Sequence, residues 1–397
     1  MSIRNDISKS ALNEKHLAEY IAASAPLHAS DGWGFLGRAM QAHLLGDHAA
    51  ARHLAYYAEL RAAMSILAAR GVGIFDQQHF AVTGPTSVEK IPGTSGTHMF
   101  TWQALQWWSG LPDSWNLVGD VIRPYGKTLN EWLAAVPKYA AWGSVASGWI
   151  ESLGLDIQRV ASDQYSRNEA SYRPNRMVEP ATSDASLDAR FAVNLWRALE
   201  PGATGFPNLD VQLLRVTLER AFEAVEGAAP SRLPAAFAAA AAAVSNVAGE
   251  PSIIALLDRF LRREIEPADL DVITFASADS PTSKSQHHME VMSRAANLLV
   301  LATTSARKLL IEARAPLDEI SFWWQSLGFE RGIWATAPAT AELQDLWDDV
   351  NDQLVTVEDW LDRDDISHSS AQLRLDNPTI YSQLAYLELP ALWGMSA

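Results

Sequence analysis

The chain of 397 residues contains no cysteine. Disulfides, thiolate nucleophiles and cysteine-ligated zinc are therefore excluded, and a reducing compartment fits. Long apolar runs are also missing. The longest, around Ala235–Val244, is mostly alanine and too short to span a bilayer. The opening MSIRNDISKSALNEKH has no apolar signal core. Both absences point to a cytoplasmic protein with no membrane partner. Basic residues are scarce, at 31 Lys and Arg against 47 Asp and Glu, for a formal net charge of −16. A surface built for broad phosphate binding is thereby disfavoured, although a small basic site is not.

What remains is an ordinary globular composition, 48% hydrophobic and 20% charged, with an unusual 15 tryptophans. Trp fills large core volumes and is also enriched at interfaces. The length favours two domains.

Helical periodicity dominates the chain. Gly32–Gly71 reads as two Ala- and Leu-rich helices separated by Gly46-Asp47, which ends the first and caps the second. Val72–Thr83 has β-favouring residues around a polar centre and suits a short hairpin. Gly84–Thr97 reads as a Gly/Pro/Ser/Thr loop, with a helix starting near Thr97 or His98. Further helices fit 128–136, 139–153, 187–199, 209–225, 234–247 and 253–265. Pro267–Ser285 is rich in Ser, Thr and Asp, and a domain boundary is expected there. Helical patterns resume at 287–313, 317–328, 341–362, 366–374 and 379–388. The expected architecture is all-α, with helical hairpins and a bundle, and at most a small β-hairpin near 72–83. Residues 1–275 would form an N-terminal helical domain and residues 286–397 a C-terminal helical bundle.

Several short patterns could carry chemistry. Glu342–Asp365 holds ten acidic residues and one basic one. Its apolar positions Leu343, Trp347, Val350, Leu354, Val357 and Leu361 form one helical stripe, which leaves the carboxylates on the other faces. Such a face is either solvated or a docking surface for a basic partner, with Asp345, Asp348, Asp349 and Asp352 as the contact residues. Gly126-Lys127-Thr128 resembles the end of a phosphate-binding Walker loop. Val121 stands where that loop needs glycine, so a helix starting at Thr128 is the better account. Gly93-Thr-Ser-Gly-Thr-His98 could bind an anion through free N–H groups, or could be a loop with Thr97 as N-cap. Tyr165, Arg167, Tyr172, Arg173 and Arg176 are the types used for RNA stacking and phosphate contact, or belong to an inter-helix loop.

The histidines recur without a metal-binding spacing. His43, His48 and His53 lie five residues apart, which does not stack side chains on one helix face, and Gly46-Asp47 interrupts the helix. His287, His288 and Glu290 would join a metal cluster only with donors from elsewhere. No cofactor and no metal are expected.

The segment Arg363-Asp-Asp-Ile-Ser-His368 follows the acidic helix, with a polar residue directly after the Arg. It resembles the active-site motif of HEPN-type ribonucleases, a superfamily of small helical bundles. The resemblance implies that Arg363 holds the scissile phosphate and that His368 moves a proton while the RNA 2′-OH attacks, without a metal. It also implies dimerisation, because such sites are built across two bundles. The alternative class is a helical interaction or scaffold subunit of a larger bacterial assembly, with antiviral defence as a setting. The Trp content and the acidic face favour this class, and it implies a basic protein partner or a homo-oligomer. Whether the chain is an enzyme stays open at this level.

Overall fold

Gly46 and Asp47 turn the first long stretch of chain back on itself. Gly46 takes a positive φ of 77°, a conformation that glycine adopts without a steric cost. The Asp47 carboxylate accepts the N–H of Ala50 at 3.0 Å and starts the next helix. The computed structural model describes residues 13–93, 96–139, 185–203, 205–265, 269–276, 287–364 and 368–396. Helix α1, Glu14–Leu44, begins well before the expected Gly32, capped by Asn13. Helix α2, His48–Ala69, returns antiparallel to it.

A three-stranded antiparallel sheet follows, in the order β1-β2-β3: β1 Val72–Phe75, β2 Gln78–Gly84 and β3 Ser87–Ile91. The first two strands are the expected hairpin. The third falls in the stretch expected to be a loop. Pro85-Thr86 makes a tight turn there, and Val88 alternates inward onto Leu17, Ala18, Ile21 and Phe80. The polar composition of 84–97 hid this strand, which needs only one buried side chain.

The remaining α-helices among the described residues are α3 Thr97–Ser109, α4 Pro112–Val121, α5 Leu129–Leu133, α6 Ala185–Ala198, α7 Pro207–Glu226, α8 Pro234–Ser245, α9 Pro251–Leu261, α10 Asp271–Thr274, α11 His287–Ala313, α12 Ser321–Arg331, α13 Leu346–Leu361, α14 Ser370–Asp376, α15 Ile380–Gln383 and α16 Leu389–Ser396. The fold is mostly α, as the periodicity implied. Thr128 caps α5 in a reciprocal capping box with Glu131, which accounts for the Gly-Lys-Thr segment without a phosphate. Gly96, not Thr97, is the N-cap residue of α3; the Thr97 hydroxyl instead donates to the Asp76 carbonyl.

The core is centred on the α1–α2 hairpin, over which α11 packs along both helices. Trp33 Nε1 donates to Thr303 Oγ1 at 2.8 Å, and Arg294 meets Glu59 at 2.8 Å, both fully buried. The segment expected as a boundary, Pro267–Ser285, lies largely outside the described residues. Leu36 and Leu67 share one buried cluster with Leu298 and Trp393, so the chain on both sides contributes to it. Most of the described tryptophans are core residues whose indole N–H finds a partner. Trp132, Trp196, Trp324 and Trp393 each donate to a backbone carbonyl, and Trp107 is the exposed exception. Among the described residues, no helix is long and apolar enough to cross a membrane.

Candidate metal centre

The turn that closes the first hairpin also brings two histidines together. His43 sits in the last turn of α1 and His48 opens α2, with ring centroids 5.9 Å apart. The helix-face argument does not apply across a chain reversal, and the break at Gly46-Asp47, which counted against the pair, is what brings the two rings together. His53 stays outside the group and packs edge-on against Tyr57.

Two further elements complete the cluster. Helix α6 supplies Asp188 from its first turn, and the first turn of α11 supplies His288. One ligand atom from each of His43, His48, Asp188 and His288 can be chosen so that all four lie within 4.8 Å of one another. His43 Nδ1 is 3.0 Å from His288 Nε2 and 3.8 Å from Asp188 Oδ1. His48 Nε2 is 3.1 Å from Asp188 Oδ2. The His48 and His288 rings stack at 4.0 Å, and Phe191 closes the far side of His43 edge-on at 5.2 Å. His43, Asp188 and His288 are almost wholly buried, while the His48 side chain keeps 15% of its surface.

The hydrogen bonds fix which nitrogen of His43 faces the cluster. Its Nε2 lies 2.9 Å from the backbone carbonyl of Asp188, which can only accept. The proton is therefore on Nε2, and Nδ1 carries the lone pair. Burial holds this imidazole below its ordinary pKa, against the opposing pull of Asp188. Neutral His43 thus presents a donor electron pair to its neighbours. An N–H anchored on a backbone carbonyl is the usual outer support of a metal-ligating histidine. Without an ion, the same atoms make a consistent network in which His288 Nε2–H donates to His43 and His48 Nε2–H donates to Asp188.

The separations suit a small divalent cation. Four ligands held about 2.0–2.1 Å from an ion at tetrahedral angles lie about 3.3 Å apart. The 3.0 Å between His43 Nδ1 and His288 Nε2 and the 3.1 Å between His48 Nε2 and Asp188 Oδ2 lie near that value, and one donor atom from each of the four residues lies within 4.8 Å of the others, so the side chains would draw inward on an ion. Three imidazoles and one carboxylate form a borderline donor set that suits zinc, iron, cobalt and nickel better than calcium or magnesium.

The residues singled out from sequence lie elsewhere. Arg363 is exposed and pairs with Asp376 at 3.5 Å. His368 is half-buried, with Nε2 3.2 Å from the Trp360 carbonyl and its ring edge-on to Trp360 at 4.8 Å. Both side chains close the C-terminal end of α13. In the stripe of that helix, Leu343, Trp347, Val350, Leu354 and Val357 are buried. Its last position shifts, since Leu361 is half-buried and Trp360 is buried instead, bonded to Asp376 on α14. Asp345, Asp348, Asp349 and Asp352 are exposed, and Asp349 and Asp352 line a cleft of about 420 Å³ with Gln353, Ser382, Gln383 and Tyr386. Tyr165, Arg167, Tyr172, Arg173 and Arg176 lie outside the described residues. No family model, curated protein or solved structure matches this chain.

Proposed function

We propose that this chain is a helical metalloprotein that binds one divalent first-row cation through His43, His48, Asp188 and His288. The observation that carries this reading is the convergence of four metal-ligating side chains, from three distant parts of the sequence, on one buried point. Buried polar groups normally make either hydrogen bonds or coordinate bonds. This group contains three imidazoles and one carboxylate, with the tautomer of His43 already fixed by a carbonyl. Because the donors come from α1, α2, α6 and α11, the ion ties the first hairpin to two later helices. That is the arrangement of a structural centre.

The test is elemental analysis of protein purified with added zinc, cobalt, manganese, iron(II) or nickel. The expected result is about one ion per chain, lost in His43→Ala and His288→Ala variants that keep their helical circular dichroism. Folded protein that takes up none of these ions at micromolar concentration would refute the reading.

A second reading concerns partners and rests on a different observation. Two of the exposed carboxylates of α13, Asp349 and Asp352, line a cleft of mixed polar and apolar character with Tyr386, Ile333 and Leu346. This supports an interaction role in which a basic segment of a partner protein docks across α13. A Lys/Arg-rich peptide should bind in low salt and be released by salt or by Asp349→Lys with Asp352→Lys.

A further inference from the structure

The turn Pro124-Tyr125-Gly126 carries backbone strain. Tyr125 takes a left-handed φ of 51°, rare for a residue with a side chain, and Gly126 follows at φ 77°. The turn is held from two sides. Trp132 Nε1 donates to the Pro124 and Lys127 carbonyls at 3.0 and 3.2 Å, and the buried Asp210 carboxyl accepts the backbone N–H of Arg123. Strain of this kind persists where the surroundings fix it, and it gathers at ligand clamps. Here it leaves Arg123 and Tyr125 exposed on one wall of a cleft of about 780 Å³.

The floor of this cleft is apolar. Val211 of α7, Leu256 and Phe260 of α9, and Leu270 line it, and Leu256 keeps 54% of its surface. A mostly apolar lining with a few polar groups is the usual build of a small-molecule site. Among the described residues that line the cleft, the charged side chains are two arginines. Arg197 spends its guanidinium on Glu358 and Asn351. Arg123 Nε donates to the Asp120 carbonyl at 3.1 Å, and among the described residues its two terminal nitrogens enter no ion pair. The neighbouring carboxylates are engaged elsewhere: Asp120 with Lys308 and Asn130, Glu131 in the Thr128 cap, and Glu200 with Asn208. One guanidinium with its end-on pair of N–H groups matches one carboxylate. A phosphate monoester, with up to two charges, calls for more than one such arginine.

We propose that this cleft binds a small amphipathic carboxylate, its hydrocarbon body on Val211, Leu256, Phe260 and Leu270 and its carboxylate on the Arg123 guanidinium. None of the four metal donors lines the cleft, so the two sites stand or fall separately.

The test is equilibrium dialysis of the full chain against radiolabelled octanoate, octanamide and octyl phosphate in turn. The expected result is saturable uptake of octanoate, about one per chain, at least about fivefold tighter than octanamide. That factor is what one unit charge about 4 Å away is worth even at the dielectric of bulk water. Arg123→Gln should bring octanoate down to the affinity of octanamide and leave octanamide unchanged. Leu256→Asp, at an exposed position, should abolish octanoate binding while the helical circular dichroism is kept. Equal affinities for octanoate and octanamide, or no effect of Arg123→Gln, overturn the carboxylate contact. Octanoate binding that survives Leu256→Asp overturns the assignment to this cleft. Octyl phosphate binding more tightly than octanoate overturns the head group, and no uptake of octanoate at millimolar concentration overturns the proposal as a whole.

Discussion

Saturating the centre with zinc should raise the melting temperature by about 5 °C. Binding to the folded state alone contributes RT ln(1 + [L]/Kd), about 4.1 kcal/mol when free zinc exceeds Kd by about a thousandfold. The entropy of unfolding near 60 °C is about 2.1 cal/mol/K per residue, or about 0.8 kcal/mol/K for 397 residues. Their ratio gives the shift for a single cooperative transition. Differential scanning calorimetry with chelator, and then with buffered zinc, measures it directly. The control is His288→Ala, which removes the donor that α11 supplies. There the zinc-dependent shift should fall towards zero, whatever the variant's own melting temperature. A wild-type shift of zero, or an equal shift in His288→Ala, would refute the assignment of the four ligands.

Other outcomes follow from particular contacts. Gly46→Ala places a Cβ at φ 77° and should cost about 1–2 kcal/mol in chemical denaturation. It should also weaken zinc binding, since this turn sets His43 against His48. Trp347→Ala should cost about 3–5 kcal/mol, because the ring is buried and packs edge-on against Trp393 at 5.9 Å; an unchanged melting temperature would contradict that packing. Burial raises the Asp210 carboxyl from 3.8 to about 7, so the folded chain holds a proton that the unfolded chain releases. Its contribution to stability is full below pH 3.8 and is lost as pH rises through 7. Asp210→Asn should flatten that part of the stability profile, measured by urea titration from pH 4 to 8. His28 acts in the opposite sense: burial lowers it from 6.5 to about 4, so its contribution is present above pH 6.5 and lost as pH falls through 4. His28→Gln should remove that acid-side loss.

The local features of this fold were legible in the sequence, and its site was not. Gly46-Asp47 announced the hairpin because a positive φ and an N-cap are decided by two adjacent residues. Thr128 with Glu131 announced a helix start for the same reason. Helix α4 was not among the expected helices, although Pro112 is well placed to open one. The candidate metal centre depends on contacts with no local signature. His43 and His48 were judged by helix-face geometry, which does not apply across a chain reversal. Asp188 is one acid in the first turn of an amphipathic helix, where carboxylates are common for dipole reasons alone. His288 was recognised as a ligand in need of partners, and those partners lie up to 245 residues away. A search for two His flanking the turn of one helical hairpin, paired with an Asp and a His in the first turns of later helices, could have raised the set.

The separation of the donors along the chain has a consequence for biogenesis. During synthesis, His43 and His48 emerge early, Asp188 roughly midway, and His288 only after most of the chain. On the metal-binding reading, a two-histidine fragment is a poor chelator, Asp188 brings the donors to three, and the set is complete only with α11 docked on α1 and α2. A bound ion would then report that docking, and a chain truncated before His288 would hold the ion more weakly than the full chain.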